Sequence, residues 1–163
     1  MNGSSLPPAT SAAIPDPHPQ GYMYGSLLDL LEGPKANTVA GTPHDVTSWS
    51  LSQAWTAGAA ISTLHDLKIW AKALATGQLL STAMHKEQLS LTPQSQGEYG
   101  LGMANFGGFL GHNGADPGFQ SWMGYQPQTG ATIIVLTNLF PTPDGSLLSA
   151  DPLAGIIQHE LFA

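Results

Sequence analysis

The sequence predicts an α+β fold in which helices pack on an antiparallel sheet, and three observations carry that expectation. An amphipathic helical stretch follows Ser62, short strand-like runs separated by turn residues fill 98–138, and a second helical stripe closes the chain at 151–162.

Residues 1–60 form an irregular opening with no sustained period. Prolines at positions 7, 8, 15, 17 and 19 favour extended backbone and block helices. Tyr22, Tyr24, Trp49 and Trp55 are scattered through this Gly-rich stretch. Such aromatics pin irregular chain to something solid, so the segment is expected either to be disordered or to wrap a body that is not all present.

The helical region spans 62–90. Thr63 reads as an N-cap with Asp66 three residues on, a weak capping box. Leu64, Leu67, Ala71 and Leu74 share one face with Trp70 beside it, and Gly77 stands where a C′ glycine belongs, giving a helix over 64–76. Ser81 caps a second helix near 82–89.

The strand region spans 98–138. A strand is expected from Tyr99 to Asn105, leading to the turn Gly107-Gly108, and another from Phe109 to Ala115. Asp116-Pro117-Gly118 is turn chemistry before a third strand, Phe119 to Tyr125. Pro127-Gln128-Thr129-Gly130 makes a tight hairpin into Thr132–Thr137, whose apolar run implies a strand covered on both faces and central in its sheet. In the terminal helix Asp151 is the expected cap, Pro152 the first helical residue, and Leu153, Ile156, Ile157 and Leu161 the apolar stripe.

Composition excludes several function classes. Four Lys+Arg against eleven Asp+Glu give a net charge of -7, so no surface can neutralise a run of phosphates or dock on an anionic membrane. Charged residues are only 9% of the chain, which suits a secreted protein, a buried interface or a fragment. No cysteine is present, so disulfides and thiolate metal sites are excluded. The opening MNGSSLPPATSAAIPDP has neither a basic nor an apolar region of the kind an export signal carries. The longest apolar stretch, Ile133 to Leu136, is far short of the about 20 residues of a membrane span. No cofactor or metal is expected. His18 and His44 lie in Pro-rich loops without ligand-like spacing, and His65, His85 and His159 read as helix-surface residues.

The strongest chemical cluster is Gly111-His112-Asn113-Gly114-Ala115-Asp116-Pro117-Gly118-Phe119. Local pattern leaves two readings. His112 is an ordinary loop histidine, or it lies on a substrate-facing edge strand whose glycines 111 and 114 let a ligand come close. Trp122 and Phe119 read as core residues or as a pocket rim.

GHNGADPGFQS followed by ATIIVLTN resembles the third signature motif of the class C β-lactamase, D-alanyl-D-alanine carboxypeptidase and esterase family, written Lys-Thr-Gly or His-x-Gly among its members. AAISTLHDLKIWAKALATGQLLS, PHPQGYMYG, DVTSWSLSQAWTAGA and YGLGM are similar to the same members in order, so the resemblance covers nearly the whole chain. It implies the C-terminal part of the β-lactamase/transpeptidase-like fold and an acyl-enzyme serine hydrolase acting on D-alanyl peptides, β-lactams or esters outside the cytoplasm. It further implies that His112 contacts substrate and relays a proton, that Asn113 and Gly114 line the cleft, and that the Ala115 N–H is one of two oxyanion donors.

The family's other two motifs are not in this sequence. The residues three before Lys35, Lys68, Lys72 and Lys86 are Glu32, His65, Ile69 and Ala83, so there is no Ser-x-x-Lys. No Tyr or Ser stands two before an Asn, so there is no Tyr-x-Asn or Ser-x-Asn. The resemblance therefore implies an N-terminally shortened product without its nucleophile, inactive alone. Such a chain is expected to self-associate or to need a complementing N-terminal segment. A non-catalytic binding half-domain and a degenerate remnant are the alternatives.

Overall fold

A computed structural model describes residues 1–26, 41–94, 97–143 and 149–162. The stretch 27–40 of the irregular opening lies outside the described residues. The main sheet is a six-stranded antiparallel meander in which each strand pairs with the next along the chain. Its strands are β3 (Thr92–Gln94), β4 (Gly97–Tyr99), β5 (Ala104–Phe106), β6 (Phe109–Asp116), β7 (Phe119–Tyr125) and β8 (Thr132–Thr137). Helices α1 (Leu64–Ala75) and α2 (Thr82–Gln88) precede the sheet, and α3 (Ala150–Phe162) follows it.

Helix α1 is framed by local chemistry. The Thr63 hydroxyl accepts from the Asp66 N–H at 3.2 Å. At the other end the Gly77 N–H reaches Leu74 O and the Gln78 N–H reaches Ala73 O, a Schellman closure with Gly77 at φ 66°. The Asp66 carboxylate does not complete a capping box. It turns away to accept from the Gly3 N–H and the Ser4 hydroxyl, both at 2.8 Å, and is 3% exposed. The buried face is Ala71 and Ala75, while Leu64 is 58% exposed. Two small residues let the helix lie close on Tyr125, Leu110 and Met123 of the sheet. Helix α2 keeps the expected cap, Ser81, which accepts from the Met84 N–H. His85 at its far side is half-buried with its ring under Gly77, not a free surface group.

The strand expected from Tyr99 to Asn105 is two strands. The chain breaks after Tyr99 because the Gly100 N–H closes a turn on Met103 O and the Leu101 N–H takes Gln88 O at the end of α2. A side chain at Gly100 would sit 2.2 Å from that Gln88 oxygen. Strand β8 is also placed differently. It is covered by α1 on one face and α3 on the other, yet it ends the sheet order, with no further strand beside it among the described residues. Covering of both faces, not central position, explains its apolar run.

The α3 face of the sheet holds the larger core: Phe109, Trp122, Ile133 and Val135 against Ala150 and Ala154, with Phe106, Ala131 and Ile157 packed around them. Trp122 lies between the Phe106 ring at 5.0 Å and the Phe109 ring at 6.4 Å. Helix α3 begins at Ala150, so Asp151 lies in its first turn and is not its cap. The buried Gln120 side chain of β7 serves instead, accepting from the Ala150 N–H at 3.1 Å. Leu153, Ile156 and Leu161, expected to face the core, are 46%, 59% and 70% exposed.

The opening segment wraps the sheet where it is described. A small ladder pairs β1 (Tyr22–Met23) with β2 (His44–Asp45). The Tyr22 N–H takes Asn138 O, the Phe140 N–H takes Tyr22 O, and the Gly118 N–H takes Phe140 O, which fastens the segment to the β6–β7 turn. Met23, Val46 and Phe140 bury the seam.

Candidate active site

The candidate site is a stretch of β6 that is unpaired on one side among the described residues. Strand β5 pairs with β6 only at Phe109, Leu110 and Gly111, whereas β7 pairs along Leu110–Asp116. From His112 to Asp116 the β5-side edge carries no strand among the described residues. The two flanking hairpins agree on which groups point there. Phe106 faces Phe109, and Asp116 faces Phe119, each across a two-residue turn. Alternation along the antiparallel ladder then aims the N–H and C=O of Asn113 and Ala115 out of the open edge. Ala115 is exposed, so its N–H stands free to donate.

Side chains alternate across the same strand. His112 leaves the α1 face, as Leu110 does. Its Nε2 lies 2.8 Å from the Tyr99 hydroxyl, with the two rings edge-on at 5.5 Å, and its Nδ1 bonds the Asn113 carbonyl. Asn113 leaves the opposite face, and its amide donates to Asp151 Oδ2 at 2.8 Å. Thus His112 and Ala115 both lie on the stretch of β6 that β5 leaves unpaired. Asn113 contributes its backbone there, while its side chain is spent on α3.

The two glycines have different reasons. A Cβ at Gly111 would lie 2.0 Å from Met123 O, so this glycine serves the approach of β7. A Cβ at Gly114 would meet only Ser121 Oγ at 3.0 Å, and this glycine thins the strand between His112 and Ala115.

Residues to which sequence reasoning assigned no chemical role lie near this stretch. Asp116 at the end of β6 is half-buried, and burial pushes its carboxyl above the ordinary range. Its Oδ2 lies against the backbone of Gly58, where an added Cβ would be 2.5 Å away. The same loop holds Trp55 at φ 45° and ψ -124°, 65% exposed. Tyr99 lay in the YGLGM stretch, but only the fold brings it to His112. Trp122 is a core residue at 2% exposure, and Phe119 packs over Gly21. A surface cavity of about 530 Å³ lined by Ala12, Ile14, His18, Asp45 and Thr47 includes none of the β6 residues. Among the described residues no three His, Asp or Glu side chains gather as a metal site. No helix among them is long and apolar enough to cross a membrane.

A helix-flanked antiparallel meander whose interior strand β6 carries His112-Asn113-Gly114 on a partly unpaired stretch defines a class of fold, and comparison with known proteins names it. The chain belongs to the Beta-lactamase family, whose family model matches residues 5–153. Among solved structures it is similar to a D-stereospecific amidohydrolase from Streptomyces sp., at 22% identity and TM-score 0.72 over 99% of this chain and 44% of that one. It is also similar to the D-amino acid amidase from Ochrobactrum anthropi SV3. With L-phenylalanine bound, that structure gives 23% identity and TM-score 0.72 over 98% of this chain and 50% of that one. With L-phenylalanine amide, the values are 24% and 0.69 over 98% and 48%. The chain therefore spans about half the length of these structures. No curated protein matches it.

Proposed function

We propose that this chain supplies the oxyanion-side strand of an acyl-enzyme serine hydrolase, and that the nucleophile and its base come from a segment outside this sequence. The observation that carries the reading is the open β6 edge, where no strand among the described residues pairs with β6 from His112 to Ala115 on the β5 side. In such a reaction the serine oxygen attacks an acyl carbon, the Ala115 N–H stabilises the oxyanion, and His112 lies beside the leaving group. Amides of D-amino acids are the first substrates to try, because the similar structures are named as D-stereospecific amidohydrolase and D-amino acid amidase. D-Alanyl peptides, β-lactams and small esters follow by family. A location outside the cytoplasm is part of the same proposal and rests on the family resemblance alone.

Two surfaces support a complementing segment. The outer edge of β8 has no strand partner among the described residues, and Leu136 on it is 46% exposed. Leu153 and Ile156 on α3 are exposed as well. The absence of any Ser-x-x-Lys favours one alternative, a half-domain that binds such ligands without chemistry.

The test has two arms. Intact mass after incubation with a fluorophosphonate or a penicillin gives no adduct on the chain alone, and a stoichiometric adduct overturns the reading. The DNA upstream of Met1, or a co-expressed partner, encodes Ser-x-x-Lys followed by Tyr-x-Asn, and co-expression restores the adduct and hydrolysis of D-phenylalanine amide. If no such segment exists, or if restored binding comes without an adduct, the chain is not part of a hydrolase.

A further inference from the structure

Tyr99 and His112 are two strands apart in the sheet, yet they share a hydrogen bond. Tyr99 pairs with Ala104 on β5, and Ala104 pairs with Gly111 on β6. One residue further on β6, where β5 no longer covers the edge, the Tyr99 ring meets the imidazole edge-on at 78°. Its hydroxyl reaches Nε2 at 2.8 Å. The other ring nitrogen, Nδ1, bonds the carbonyl of Asn113. A carbonyl oxygen only accepts, so Nδ1 carries the proton. In the neutral ring Nε2 is then an acceptor, and the Tyr99 O–H donates to it.

The backbone around Tyr99 is clamped independently of His112. The Thr92 hydroxyl donates to Tyr99 O at 3.2 Å, and the next residue, Gly100, is pressed against Gln88 O at the end of α2. The backbone that carries the phenol is thus anchored, and both imidazole nitrogens have partners.

We propose that Tyr99 is the positioning residue of this site. Its hydroxyl occupies Nε2 and fixes His112 as the Nδ1–H form with the ring turned along the open edge. A ligand that seeks Nε2 must displace this phenol. The assignment to a hydrolytic site rests on the function proposed above, but the bond and the tautomer do not.

The test is long-range ¹H–¹⁵N correlation of the histidine-labelled chain with its imidazoles in the neutral form. The wild-type spectrum shows His112 with Nδ1 protonated and Nε2 shifted as a hydrogen-bonded acceptor. In Tyr99→Phe, which keeps the ring contact and removes the hydroxyl, the Nε2 resonance moves toward that of an unbonded acceptor, while amides outside 97–113 stay in place. An unchanged Nε2 resonance in the variant overturns the proposal. So does a protonated Nε2 in the wild type, which decides the matter even if the variant folds poorly. A failure of hydrolysis in the co-expression experiment would remove the catalytic setting and leave this spectrum intact. An unchanged spectrum would remove the role of Tyr99 and leave hydrolysis untouched.

Discussion

The Asn113 amide donates to Asp151 Oδ2 at 2.8 Å, and this bond ties the open stretch of β6 to the first turn of α3. The second carboxylate oxygen of Asp151 is buried without a hydrogen-bond partner among the described residues. The side of β6 opposite His112 is thereby held by a polar contact at the margin of the larger core, and the edge is kept in place from behind.

That contact has a pH signature. Burial pushes the Asp151 carboxyl above its ordinary range, and the Asn113 amide opposes this only in part. The folded chain then binds this proton more tightly than the unfolded chain, so stability falls as pH rises through the usual carboxylate range and stays lower above it. Asp151→Asn keeps an oxygen for Asn113 and removes the charge. Its Tm is expected to exceed that of the wild type at pH 7, with the gap closing near pH 3. Asp151→Leu leaves the Asn113 amide unpaired and costs about 1–3 kcal/mol in denaturant melts.

Asp66 behaves in the opposite sense. Burial pushes its carboxyl up, but the Ser4 hydroxyl and the Gly3 N–H, with the charges of the N-terminus and His65, outweigh that and hold it below the ordinary range. Its contribution is present above the usual carboxylate range and is lost as pH falls through the lowered one. Asp66→Asn should lose stability at neutral pH, and its acid-unfolding midpoint should move up. Hydrogen exchange at Gly3 reads the same bond directly, and unchanged protection there would rule out the tether.

The Ala115 N–H is removed by Ala115→Pro. Proline is tolerated where a strand edge is open, so the fold should survive. If the proposed assembly hydrolyses its substrate through this donor, kcat is expected to fall by about 100- to 1000-fold, the cost of one oxyanion donor. A variant with near wild-type kcat would place the donor elsewhere.

The β8 edge and the exposed α3 residues predict self-association of the chain alone. Sedimentation velocity should show species larger than the monomer, and Leu136→Lys with Ile156→Glu should reduce them. A compact monomer with cooperative melting would count against a complementing segment.

Trp122 gathers the α3-side core between two phenylalanine rings. Trp122→Ala is expected to cost about 3–5 kcal/mol, read from chemical denaturation, because the surrounding sheet and helix cannot close over the void.

The sequence by itself determined what local chemistry controls. Thr63, Ser81 and Gly77 bound their helices because caps and the left-handed glycine act within one turn. The third and last strands were legible because short alternating or apolar runs stood between strong turn residues, and the His112–Ala115 stretch was legible as a motif. Other features belonged to the tertiary structure. The break at Gly100 depends on a carbonyl of α2, and the cap of α3 comes from Gln120, thirty positions earlier in the chain. The burying faces of α1 and α3 fell on alanines because close helix–sheet approach selects small residues, which periodicity of large ones does not reveal. The tertiary structure also decided the site. Strand pairing left β6 open past Gly111, the pleat sent His112 and Asn113 to opposite faces, and the meander brought Tyr99 to His112. Each is a contact between strands, set by register in space, and residue order alone carries no record of register.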